Sequence, residues 1–177
     1  MTIEIKEKGT RKFYEEVVNV VTQYRQLLYK PDGKLSDNFK KYRLLIIAMA
    51  IFFVTNLYLG VTGGFNTRNV LPIVLSILAI IAMAIYLSRM KKMVDGYLAD
   101  DSPSVVTLDD DGVEINKVGS QAVRLAWDNV AFIRIFREST CFFSKDLSGI
   151  VLSVTNDHKN EILEYLNSTD LGIKVIK

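Results

Sequence analysis

Read for its hydrophobic period, the chain changes character several times. Residues 2–8 (TIEIKEK) alternate apolar and charged side chains, the period-two pattern of a short strand with one buried face. From Thr10 the period lengthens. Phe13, Val17, Val20, Tyr24, Leu27 and Leu28 recur at helical spacing, with Lys12, Glu15, Glu16, Asn19, Gln23 and Gln26 on the other side. Thr10 offers an N-cap oxygen and Pro31-Asp32-Gly33 a stop, so one helix is predicted over 11–29. Its stripe is expected to pack on the C-terminal domain, because the opposite face mixes acids with bases and so differs from the Lys/Arg-rich face of a membrane-surface helix; the membrane surface and a partner helix are the alternative covers. Then the period vanishes. Leu44–Val61 and Val70–Leu87 are uncharged runs of 18 residues, each about 27 Å long as a helix, close to the ~30 Å hydrocarbon core of a bilayer.

The connection TGGFNTRN (62–69) is short, which predicts an antiparallel transmembrane helical hairpin with spans 44–61 and 70–88. Pro72 is placed in the first turn of the second helix, where its missing N–H costs little. Asn56 and Ser76 fall at similar depth on either side of the loop. They are expected to hydrogen-bond across the hairpin, contributing about 0.6–2 kcal/mol. Neither membrane interior holds an ionisable residue, so this pair reads as helix–helix glue rather than a solute path.

After the turn-forming Asp100-Asp101-Ser102-Pro103 the period is two again. Runs at 104–108, 113–116, 122–126, 130–137, 140–144 and 149–154 predict a small antiparallel sheet structure. Asp109-Asp110-Asp111-Gly112 is the first hairpin, with Gly112 supplying the positive φ of its turn. A helix capped by Thr155 or Asn156 follows, with Ile162, Leu163, Tyr165 and Leu166 along it. A last strand is expected within 173–176. This order implies an α+β membrane protein. Its segments are a cytoplasmic strand and amphipathic helix (1–43), the hairpin, and a pleckstrin-homology-like antiparallel β domain closed by a C-terminal helix (93–177).

Charge sharpens the picture. The 22 Lys/Arg and 20 Asp/Glu are segregated: net +4 over 1–43, four cations and no acid over 44–92, and net −6 over 93–177. Lys40, Lys41, Arg43, Arg89, Lys91 and Lys92 flank the outer ends of the runs, against Arg68 alone in the loop, which predicts that both termini are cytoplasmic. One Cys and one His exclude a disulfide framework and a Cys/His zinc site. The small net charge argues against a nucleic-acid partner. No metal or other cofactor is expected: Asp109–Asp111 fits a hairpin tip better than a calcium loop, which spaces its acids over twelve residues. Cys141 reads as a half-buried strand residue and His158 as a surface residue. Trp127 anchors the small core. Arg124, Arg134 and Arg137 are discounted as a lipid-headgroup face, since the last two differ by an odd number and the domain is acidic.

The two-helix hairpin, the Asp111-Gly112-Val113 strand opening, Ser120, the Trp127-Asp128-Asn129-Val130 step, a long apolar strand and a final short helix together resemble the YcxB-like proteins of bacteria. The resemblance implies a membrane protein whose cytoplasmic domain is similar to bacterial pleckstrin-homology folds, with no established catalytic activity. The function expected is a non-enzymatic, membrane-tethered binding or regulatory module for a protein or peptide partner. The alternative is an immunity-type protein that blocks a toxin or a membrane-targeted effector.

Overall fold

The computed structural model describes residues 2–100, 102–117, 121–146, 149–169 and 171–177; Asp101 of the predicted linker and Ser120 of the family pattern lie outside the described residues. Strand β1 (Ile3–Glu7) pairs antiparallel with β2 (Ser104–Asp109), on the far side of both apolar runs in the sequence, with Ile3 opposite Leu108 and Glu7 opposite Ser104. Next come β3 (Gly112–Lys117) and β4 (Val123–Ala126), completing a sheet of order β1-β2-β3-β4. A single 3-10 turn at Trp127–Asn129 leads to β5 (Val130–Ile135), β6 (Ser139–Ser144) and β7 (Val151–Thr155). The helix of the C-terminal segment spans Lys159–Thr169 and precedes β8 (Val175–Ile176). The second sheet has the order β7-β6-β5-β8. It is mixed, not antiparallel throughout: β8 runs parallel to β5, because the intervening helix carries the chain back across the sheet in the same direction.

The predicted helix over 11–29 is two: α1 (Arg11–Thr22) and α2 (Tyr24–Tyr29), broken at Gln23. Side chains compete for the backbone there. Thr22 Oγ1 donates to the carbonyls of Val18 and Asn19 at 2.9 and 3.1 Å, and Gln23 Nε2 donates to Asn19 at 3.1 Å. Thr10 caps α1 as its position implies, its hydroxyl accepting the Phe13 N–H. Met1–Leu35 and Gly96–Lys177 form one compact unit, and Ser36–Asp95 forms another. The N-terminal arm and the C-terminal segment are therefore one α+β domain in two pieces.

That domain has two apolar layers. Ile5, Val106, Leu108, Val113 and Leu125 of the first sheet meet Ile133, Phe142, Leu152 and Val154 of the second, closed by Ile162, Tyr165 and Leu166 of the C-terminal helix. On the outer face of the second sheet, Val20, Tyr24 and Leu27 cover Phe132, Cys141 and Phe143. Alternate side chains of a strand point to opposite faces, so β6, covered on both, is buried at every position.

In the other unit, α3 (Asn38–Gly63) and α4 (Thr67–Ala99) are longer than the predicted spans. Asp37 caps α3 by accepting the Lys40 N–H, and Gly64 ends it at φ +84°, a conformation that suits glycine. Asn66 Oδ1 accepts the Arg68 N–H and its carbonyl accepts from Asn69 and Val70, starting α4 at Thr67. Pro72 consequently stands in the second turn rather than the first. Tyr42 and Tyr86 lie 4.6 Å apart, ring to ring, which fixes the two helices as an antiparallel pair. Among the less exposed positions, Tyr42, Ile46, Met49, Phe53, Asn56 and Gly60 on α3 and Ile73, Ser76, Ile80, Met83 and Leu87 on α4 recur at alternating spacings of three and four, the pattern of a helix–helix seam. Most of the remaining apolar side chains face outward: only 6% of the most apolar 18-residue stretch of α3, and 11% of that of α4, is buried.

Asn56 and Ser76 lie on this seam, but the cross-hairpin hydrogen bond expected of them is replaced by two local ones. Asn56 Nδ2 donates to Phe52 O at 2.8 Å and Ser76 Oγ to Pro72 O at 2.6 Å. In apolar surroundings the carbonyl one turn back is the nearest acceptor, and each side chain is satisfied within its own helix.

Candidate functional site

A cleft of about 200 Å³ opens where β1 ends and α1 begins, lined by Glu7, Phe13, Tyr14, Val17, Tyr97, Ile115, Val151 and Ser153 among others. Its aromatic wall is ordered by ring contacts. Tyr14 stacks on Tyr97 at 5.3 Å with 10° between planes, and Phe13 meets Tyr14 edge-on at 5.2 Å.

The opposite wall is the free edge of β7. Ser144 N–H bonds to Ile150 O and Asn156 N–H to Glu138 O, so even-numbered residues of this strand face β6. The amides of Val151, Ser153 and Thr155 therefore point away from the sheet. That of Thr155 is taken: Glu7 Oε2 accepts it at 2.7 Å. Burial pushes the Glu7 carboxyl above its ordinary pKa, and the Thr155 N–H only partly offsets this. The remaining outward amides belong to residues that line the cleft. An aromatic trough beside an unpaired strand edge is suited to receiving an extended peptide.

A second carboxylate of the N-terminal arm fastens the same end of the second sheet, where Ser139 of β6 lies opposite Thr155. Glu16 accepts from Arg137 N–H at 3.2 Å, Glu138 N–H at 3.0 Å and Ser139 Oγ at 2.6 Å. Asn156 holds the same turn from the other side, donating to Phe136 O and Arg137 O while its Oδ1 accepts from Thr140. Tyr24 adds a third tie, its hydroxyl 2.9 Å from Ser144 O. Glu7 had a legible signal, since it shares the parity of Ile3 and Ile5 on β1. Glu16 lies three residues after Phe13 and four before Val20, beside the apolar stripe. Asn156 appeared only as a helix cap.

The residues singled out from sequence have structural employment. Asp109 Oδ1 accepts the N–H groups of Asp111 and Gly112 and pairs with Arg124 at 2.7 Å, while Asp111 and Glu114 approach the same guanidinium at 3.4 and 3.5 Å. Partial burial works against the Asp109 charge, yet these amides and Arg124 hold its pKa below the ordinary value. The hairpin loop is Asp110-Asp111, with Asp109 opposite Gly112. Gly112 is thus the first residue of β3 and not a positive-φ turn residue; a Cβ there would stand 2.4 Å from Leu125 O on β4. Trp127 donates its indole N–H to Asp109 O at 2.8 Å and packs between Phe142 and Tyr165, with Val130 buried behind it.

Arg134 sends Nη1 to the carbonyls of Pro31 and Gly33 and lies over the Phe136 ring at 4.6 Å. Arg137 pairs with Glu138 on the surface. Cys141 is fully buried, not half-buried, because α1 and α2 cover its face of β6; burial pushes its thiol up to about 11. His158 Nδ1 lies 3.2 Å from Glu161. The chain matches no family model, no curated protein and no solved structure.

Proposed function

We propose that the chain is a non-enzymatic integral membrane protein, a YcxB-like two-span anchor that carries a pleckstrin-homology-like domain on the cytoplasmic face and docks an extended segment of a partner protein. The observation that carries this reading is the splice: two apolar helices with outward apolar surfaces are inserted between α2 and β2 of one hydrogen-bonded domain. The pairing of β1 with β2 supports a topology in which both outer ends of the hairpin lie on one side of the bilayer. The excess of Lys and Arg at those ends over the loop supports the cytoplasmic side. The cleft beside β7 supports peptide docking by strand addition, with main-chain bonds from the Val151 and Ser153 amides and apolar contact from Tyr14 and Tyr97.

A photo-crosslinking residue at Val151 tests docking in membranes. A protein should be captured there, and not from Glu164 on the C-terminal helix. Ser153→Pro, which removes one outward N–H along with the hydroxyl's contact to Cys141 Sγ, should abolish the capture, and Ser153→Ala, which loses only that contact, should not. Equal capture from both positions, or capture unaffected by the proline, overturns the docking site.

A further inference from the structure

Resting on the membrane reading above, the geometry points to a binding collar for anionic phospholipid headgroups at the outer ends of the hairpin. Several cations of the α+β domain are engaged: Arg124 on three acids, Arg134 on two carbonyls, Lys117 on Asp100 and Lys145 on Asp128 O. Those of the hairpin are not. Lys40, Lys41, Arg43, Arg89, Lys91 and Lys92 are all exposed, and none has a carboxylate partner among the described residues. Lys41 lies 6.0 Å over the Tyr42 ring.

Depth groups them. The Tyr42–Tyr86 contact sets the register of the antiparallel pair, which puts Arg89 level with Phe39 and Lys92 level with Ser36. At about 1.5 Å per residue the six cations occupy roughly 10 Å along the helix axes, at one end of the pair. From Asn38 to Val94 the chain contains no acid. The Asp37 carboxylate is used in capping α3, and Asp95 has a partner of its own. Six uncompensated charges at one depth, directly beyond the apolar surface, complement the phosphates of acidic lipids, with an attraction that salt screens.

The full chain, solubilised in detergent with equal amounts of phosphatidylglycerol and phosphatidylcholine, should retain phosphatidylglycerol in several-fold excess when its bound lipids are counted by native mass spectrometry at low salt. The excess should disappear in molar salt and in Lys40→Gln/Lys41→Gln/Arg89→Gln/Lys91→Gln, and survive in the loop-side Arg68→Gln. Removing one collar cation should lower it by less than the quadruple variant does. Equal retention of the two lipids by the native chain overturns the collar, as does an excess that survives high salt, or one that soluble glycerol phosphate displaces. Should the quadruple variant fail to fold, the salt series on the native chain decides alone. Extraction of the chain from membranes by alkaline carbonate would instead overturn the membrane reading itself.

Discussion

Glu7 is a carboxylate that burial penalises and one backbone amide partly rescues. Its folded-state pKa is raised above the ordinary 4.5, so the folded chain holds the proton more tightly than the unfolded chain. The stability this confers is full below the unfolded pKa and is lost as pH rises through the folded value. Glu7→Gln keeps an oxygen for the Thr155 N–H and removes the charge. The variant should therefore unfold at a higher temperature than the parent near pH 7, the two converging near pH 4, as followed by circular dichroism. Tyr165 makes the complementary case: its hydroxyl is buried without a partner among the described residues, the Trp127 N–H being directed at Asp109 O. Tyr165→Phe should leave stability unchanged or raise it by about 1 kcal/mol in denaturant titration; a loss of that size would reveal an acceptor or donor for the hydroxyl. Gly112→Ala should cost about 2 kcal/mol by the same measurement, since a backbone carbonyl occupies the space of the new methyl and β3 and β4 must part.

At the scale of elements, the domain depends on long-range ties from its N-terminal arm. Glu16→Ala leaves two amides and a hydroxyl of the β5–β6 turn without their acceptor, at a cost of about 1–3 kcal/mol. Faster exchange of the Glu138 amide should accompany it, and an unchanged exchange rate would show that the clamp is dispensable. These ties mark the limit of what periodicity can reveal. The strands from 104 to 155 and the two apolar helices were legible because each carries its own period, turn residues or lack of charge. The pairing of β1 with β2 was not, because nothing local to TIEIKEK names a partner beyond the hairpin. The Gln23 break was hidden for another reason: Thr22 and Gln23 compete for carbonyls without interrupting the apolar stripe. Cys141 reads as half-buried in the sequence because a lone strand offers only one face to a core, and the second cover comes from α1 and α2. Of the candidate site, Phe13 and Val17 were visible as a stripe. The stacking of Tyr14 on Tyr97 joins two ends of the chain that only the assembled sheet brings together.

For the whole molecule, the splice separates two problems that the chain solves with different residues. Met1–Leu35 and Gly96–Lys177 hold fifteen cations against eighteen acids, and Ser36–Asp95 holds seven against two. The acidic piece has strands, two apolar layers and tied turns; the basic piece has length, apolar surface and charged ends. If the domain owes its fold to its own contacts, the hairpin contributes location and not structure. Replacing residues 36–95 by a flexible Gly/Ser linker should then yield a protein that stays in solution without detergent and unfolds cooperatively, because lengthening or exchanging a surface connection costs little closure entropy. Its decisive readout is amide exchange in β1. Strong protection of Ile5 and Glu7, matching that in the full chain, would mean that the arm finds β2 without the helices to guide it. Fast exchange in β1 beside a protected β6 would mean instead that the hairpin holds the two pieces together, and that anchoring and folding are one property of this chain.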